Sequence, residues 1–176
     1  MLRPARREDL PAFAAGYGNC APPKNRFDQG GMDTAFMTPE WFEGLLARRE
    51  REAKDDYSYL FELFRCGDGC AVGYGDITTM FREEFQFAKI GYTIHNPWWG
   101  RGYGTLCAAL LVKIGFEQLK FHRLEAYINL DNPASKAVVL KNGFQLECVR
   151  KGFILEDGAW TDQEVYYRNN QAWGQG

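Results

Sequence analysis

The feature that most constrains this chain is the run Trp98-Trp99-Gly100-Arg101-Gly102-Tyr103-Gly104-Thr105. It follows an alternating stretch (Phe85, Phe87, Ile90, Tyr92, Ile94) and opens an apolar segment from Leu106 to Leu119. The order predicts a strand, a glycine-rich turn and a helix start. Three glycines in five positions let the backbone take positive φ and approach a ligand closely. The unpaired N–H groups and positive dipole end of a new helix favour an anion, and phosphate or pyrophosphate is the natural guest. The same pattern also serves as plain geometry, so the rest of the chain has to decide.

A chain of 176 residues, 45% of them hydrophobic, supports one well-buried core and is short for two. A single domain over residues 1–176 is expected. The formal charge of −2 argues against a nucleic-acid partner, which would need a basic face able to displace many counterions. The basic runs at Arg3–Arg7 and Arg48–Arg51 are short, and the second is interrupted by Glu50, as on a solvated helix face. No basic leader with an apolar core opens the chain and no run nears the ~20 apolar residues of a membrane span. A cytoplasmic protein with no membrane partner is the expectation. Cys20, Cys66, Cys70, Cys107 and Cys148 follow no C-x-x-C spacing, and only His95 and His122 could join them, so reduced thiols and no metal are expected.

In chain order, Leu2–Pro4 reads as a short strand and Arg7-Glu8-Asp9-Leu10-Pro11 as an acidic helix start. Tyr17–Met37 has no clear period and reads as a loop. Thr38-Pro39-Glu40 opens a helix striped by Trp41, Phe42, Leu45 and Leu46 and ending by Asp55. Tyr57–Arg65 and Cys70–Met80 form a hairpin around Gly67-Asp68-Gly69, followed by a strand over Phe85–Ile94. After the glycine turn come a helix from Thr105 to Leu119, a strand over Arg123–Ile128 and a short helix from Asn132 to about Lys141. A closing hairpin, Phe144–Leu155 and Trp160–Tyr167, turns at Glu156-Asp157-Gly158.

This order, with Gly100-Arg101-Gly102-Tyr103-Gly104 after the fourth strand, resembles the GNAT N-acetyltransferase superfamily. Asn132-Pro133-Ala134-Ser135 and Lys141-Asn142-Gly143-Phe144 look like the N-x-x-S and K-x-G-F signature of its RimJ/RimL-like branch. Further matches are Ile90-Gly91-Tyr92, the Asn96–Gly100 lead into the loop, and Asp157-Gly158, Asp162 and Tyr166 in the tail. The resemblance spans roughly Leu2–Tyr167 and is weakest over Tyr17–Lys54. It implies an α/β (α+β) GNAT fold, with a mixed, mostly antiparallel central sheet flanked by helices, and acetyl-CoA as cofactor.

By that resemblance, the strand at Tyr92-Thr93-Ile94 splays from its neighbour around Arg123–Ile128, and Thr93 and Ile94 bind the pantetheine arm and thioester carbonyl through main chain. Amides of Arg101, Gly102, Tyr103, Gly104 and Thr105 take the pyrophosphate, with a charge-assisted contact from Arg101. Asn132 bonds the pantetheine region, and Ser135 protonates or orients the leaving thiolate. Read without the family, Asn132 is also an N-cap, Ser135 a first-turn hydroxyl, and His95 a polar group at a strand end.

The chain departs from the wider superfamily at two places. Val139 stands where many members carry a tyrosine acid, which moves that role to Ser135 or water. Lys89 lies closest to the usual glutamate base, leaving Glu62, Glu84 or a water chain, and Glu62 is taken as the candidate catalytic base. A lysine amine of pKa ~10.4 is only about one part in a thousand neutral at pH 7.4, a penalty of ~4 kcal/mol, whereas an α-amino group near 7.7–8.0 is about a fifth to a third neutral. A weakly equipped site therefore suits a protein or peptide N-terminus.

A small-molecule amine (polyamine, antibiotic or amino acid) is the alternative substrate, with Tyr17, Phe27, Phe36, Trp41 and Tyr74 as candidate wall residues or core. A non-catalytic acyl-CoA binding module is a further alternative. A dinucleotide fold lacks its third small residue at Cys107, and a Walker loop lacks its Gly-Lys-Ser/Thr. The tail Trp173-Gly174 is a candidate for pairing subunits into a homodimer, or for fraying.

Overall fold

The computed structural model describes residues 1–174. Its strands are β1 (Leu2–Arg3), β2 (Ser58–Phe64), β3 (Ala71–Phe81), β4 (Phe87–Ile94), β5 (Arg123–Asn129), β6 (Gln145–Glu156) and β7 (Ala159–Asn169). The helices are α1 (Leu10–Gly18), α2 (Pro39–Lys54), α3 (Tyr103–Lys113) and α4 (Pro133–Lys141). The strands form one sheet ordered β1-β2-β3-β4-β5-β7-β6. β1/β2, β5/β7 and β6/β7 pair antiparallel and β4/β5 parallel, so the mixed, mostly antiparallel sheet flanked by helices implied by the element order is present. The residues fall into two compact units, Met1–Asp76 with Tyr92–Cys107, and Ile77–Gly91 with the chain from Ala108 onward.

In the first unit, β1 sets Leu2 opposite Leu63 and Arg3 opposite Glu62. Both guanidinium arms of Arg3 donate to the Asp9 carboxylate, at 2.6 and 2.7 Å, and tie the strand to the turn before α1. Pro39 occupies the first turn of α2, where its missing N–H costs nothing, and the Thr38 hydroxyl accepts from the Trp41 amide at 3.2 Å. Burying the stripe of α2 holds it in place. Phe42 packs with Phe13 and Met37, joined by Leu10, Tyr17, Leu45 and Leu46, and each fully buried side chain contributes about 1.5–3 kcal/mol.

In the second unit, β5 pairs with β7 along its full length, from Arg123 opposite Asn169 to Asn129 opposite Gln163. One face of β5 sends Leu124, Ala126 and Ile128 into a core with Leu111, Phe121, Val139 and Val165. β6 carries register shifts between Leu146 and Cys148 and between Arg150 and Ile154, which bend it away from a flat edge.

Most strand ends move by a residue or two from the sequence reading, and the larger differences lie at the turn before β4 and along α3. Phe85 belongs to the turn before β4, because Glu83 and Gln86 take positive φ and end the pairing. The helix expected over Thr105–Leu119 starts earlier, at Tyr103, since the Gly102 carbonyl already accepts the Leu106 N–H at 3.0 Å. It also changes at Ile114–Gln118 to a π-helical turn, inside an apolar run that carries no signal for the change. Trp173 packs its ring against His122 at 5.8 Å, edge to face, so the described tail is held by its own chain.

Candidate active site

The glycine loop is built in the first unit. The His95 amide donates to the Val72 carbonyl at 2.9 Å, and the Trp99 indole N–H donates to the Ile94 carbonyl at 2.6 Å, folding the end of β4 against the loop. Gly100 and Gly102 have φ of +74° and +81°, and a Cβ at either would meet nothing within 4 Å. Backbone conformation, not crowding, is what demands glycine there, and it leaves the loop open on its outer side. Gly102 opens α3 yet has no side chain with which to cap it. Among the described residues, the first-turn amides of Tyr103 and Gly104 have no carbonyl one turn back to bind. This open backbone fits a pyrophosphate.

Thr93 and Ile94 adjoin the same loop. β3 approaches them so closely at Gly73 that a Cβ there would overlap the Thr93 carbonyl. The Ile94 carbonyl is already engaged by Trp99, which restricts what its main chain still offers a ligand. In the second unit, β4 and β5 pair only from Phe87 opposite Arg123 to Lys89 opposite Glu125, although β5 stays paired to β7 as far as Asn129. The parallel ladder thus ends early.

Asn132 and Ser135 lie in the second unit. The Asn132 side-chain oxygen accepts from the Ser135 amide at 3.1 Å, and Pro133 fills the first turn of α4. The capping reading of Asn132 holds, and Ser135 is set half-buried in the first turn. Val139 is fully buried in the core.

Glu62 lies on β2 with none of its side chain exposed, and its carboxylate accepts from Arg49 of α2 at 3.0 Å. Burial pushes its pKa up to about 7, against the pull of Arg49. It offers no exposed oxygen to an incoming amine. Glu84 is exposed in the turn before β4. His95 is also buried, edge-on to Tyr17 at 4.8 Å, and desolvation lowers its pKa to about 4, so it stays neutral. Of the candidate wall residues, Tyr17 and Tyr74 stack at 6.4 Å, while Phe36 and Trp41 meet edge to face at 5.2 Å.

Two further residues belong to this region. Asn96, 2% exposed, accepts from the Ala21 amide at 2.8 Å and donates to the Ala21 carbonyl at 2.8 Å and Asp28 at 3.0 Å, pinning the loop after α1. Arg65, from the turn after β2, stands over the Trp98 ring at 4.5 Å, with Arg101 over the same ring at 5.1 Å. Asn96 precedes a proline in the run leading to the loop, a local signal. Arg65 has none, being 33 residues away from Trp98 in the chain.

Among the described residues no cluster of His, Cys, Asp or Glu could hold a metal ion, and all five cysteines are free. No helix is long and apolar enough to cross a membrane.

The fold and the loop define an acetyltransferase, and comparison with known proteins agrees. The family described as "Acetyltransferase (GNAT) domain" matches residues 1–145, and the chain belongs to that family. It is similar to "Probable N-acetyltransferase YjcK" of Bacillus subtilis (strain 168), at 32% identity over 79% of this chain and 78% of that one. It is also similar to the ribosomal protein uS5-alanine N-acetyltransferase of Escherichia coli (strain K12), at 25% identity over 82% and 74%. The structure of Mycobacterium smegmatis RimJ in complex with CoA-disulfide superposes with a TM-score of 0.77, at 24% identity, covering 99% of this chain and 84% of that one. The chain is an N-acetyltransferase of the GNAT family, and acetyl-CoA is its cofactor.

Proposed function

We propose that this enzyme acetylates the α-amino group of a peptide or protein. The observation that carries the reading is Glu62: the carboxylate best placed in sequence to serve as base is wholly buried against Arg49. With His95 neutral and enclosed as well, deprotonation falls largely to the acceptor itself. An α-amine is about a fifth to a third neutral at pH 7.4, and a lysine is not. The similarity to a ribosomal protein uS5-alanine N-acetyltransferase supports the same substrate class.

In this reading acetyl-CoA supplies the acetyl group as a thioester. The amides of Gly102, Tyr103, Gly104 and Thr105 hold the phosphate oxygens, with Arg101 beside them. Thr93 and Ile94 position the arm through main chain, and Asn132 steadies it near the start of α4. The Ser135 hydroxyl donates a proton, or a hydrogen bond, to the departing thiolate, and the proton released by the acetylated nitrogen restores it. Glu62 acts through its charge on Arg49 and is a positioning residue.

The test is an acetylation panel read by mass spectrometry. Peptides with free N-termini should gain one acetyl group on the α-amine, while N-terminally blocked peptides with internal lysines, polyamines and free amino acids should not. Modification confined to lysines or to small amines would overturn the reading.

A further inference from the structure

We propose that Arg65 and Arg101, stacked on the single indole of Trp98, form the seat of the 3′-phosphate of CoA. The inference rests on the reading that the glycine loop takes the pyrophosphate. The guanidinium carbons stand 4.5 and 5.1 Å from the Trp98 ring centre, so they lie within about 10 Å of each other. Tyr103, the first residue of α3, meets the same ring edge to face at 6.0 Å. The pair is therefore anchored to the loop itself.

The charge balance favours an anion. Arg65 is paired with Asp68 in its own turn, which cancels one positive charge. Arg101 is exposed, and among the described residues no carboxylate pairs with it. Lys24 adds a third cation, 5.5 Å over the ring of Trp99. The charges of Arg101 and Lys24, gathered on two adjacent indoles, repel unless a counter-charge arrives, and the loop amides beside them already favour one.

The chemistry of the ligand supplies that counter-charge. CoA carries, besides its diphosphate, a phosphate monoester on the neighbouring ribose, and such a group holds close to two negative charges at pH 7. A guanidinium presents a planar fork of donors that matches phosphate oxygens, and stacking on an indole holds the Arg101 fork without using its donors, while Arg65, whose Nε and Nη2 donate to Asp68, brings its Nη1 side. The loop amides serve any diphosphate. The arginine pair adds a preference for one bearing the third phosphate.

The experiment measures binding by calorimetry for CoA and for 3′-dephospho-CoA, at low and high salt. The intact protein should bind CoA at least tenfold more tightly, with the preference shrinking as salt rises. Arg101→Gln should weaken CoA by several-fold more than it weakens the dephospho form, and Arg65→Gln with Arg101→Gln should erase the preference. Because Arg65 also staples its turn through Asp68, Asp68→Asn is a control that must keep the preference. Equal binding of the two ligands by the intact protein would overturn the proposal while leaving the loop reading intact. Equal loss of both ligands in the double variant would do the same. Failure of the intact protein to bind either would instead bring down the loop reading, and this proposal with it.

Discussion

Two helices of this chain begin in opposite ways. α4 satisfies its own start: the Asn132 oxygen takes the Ser135 amide at 3.1 Å, and Pro133 removes a donor that would otherwise be orphaned. α3 begins just after Gly102, a residue with no side chain, held at φ of +81° with open space around it. Both starts carry the same partial positive charge. One has spent it inside the protein, and in the proposed reading the other keeps it for a ligand. The difference separates a helix that caps its own first turn from one that leaves its first turn open.

The largest expected effect comes from making the two alike. Gly102→Asp gives α3 the cap that α4 has, and puts a carboxylate where the phosphate is to sit. Without ligand the change should nearly balance, since a left-handed non-glycine residue costs about 1–2 kcal/mol and a good cap returns about 1. With CoA at a hundred times its dissociation constant, the intact protein should gain about 2.7 kcal/mol and the variant nothing, read as the shift in thermal midpoint. A variant that still responds to CoA would show that the first turn of α3 is not the phosphate site.

At α4 the effects should separate by chemistry. Ser135→Ala removes the hydroxyl and keeps the amide that Asn132 caps, so kcat should fall about a hundredfold, as for loss of a general acid, with little change in denaturant midpoint. An unchanged kcat would return Ser135 to the role of an ordinary first-turn residue. Asn132→Ala should cost about 1 kcal/mol of stability in urea titration, the usual worth of a cap. A cost near zero would mean that Asn132 is held for the cofactor and not for the helix.

The sequence disclosed these two starts unequally. Asn132-Pro133 states a cap in adjacent residues, as Thr38-Pro39 does for α2, and local rules are enough to place both. The glycine run states a turn, but the rules for turns assign Tyr103 and Gly104 to the loop, whereas the hydrogen bond from Leu106 to Gly102 makes them helical. The bond is invisible in composition. Contacts made at long range are harder still. Nothing near Arg65 announces Trp98, and nothing near Glu62 announces Arg49, because each pairing depends on how the turn after β2 and the face of α2 pack once folded. The family resemblance could name Asn132 and Ser135 because their spacing is short and fixed. It had no such handle on a base.

Glu62 joins the groups that have spent their charge internally, and the smallest effect on turnover is expected there. Its carboxyl titrates near 7 in the folded chain, above the 4.5 of an ordinary glutamate, because burial outweighs the pull of Arg49. The folded state therefore holds the proton more tightly than the unfolded state. Stability should fall as pH rises from about 4.5 to about 7, and level off above that. Glu62→Gln, which never ionises, should lose this slope, so denaturation midpoints of the two proteins should move apart across that window, with the variant gaining relative to the intact chain. Its kcat/KM profile should still rise through the pKa of the acceptor α-amine near 8, since that amine and not Glu62 sets the limb. A profile whose rising limb vanishes in Glu62→Gln would make this carboxylate the base after all, reaching the amine through water, and would move it from the side of α4 in the comparison to the side of α3.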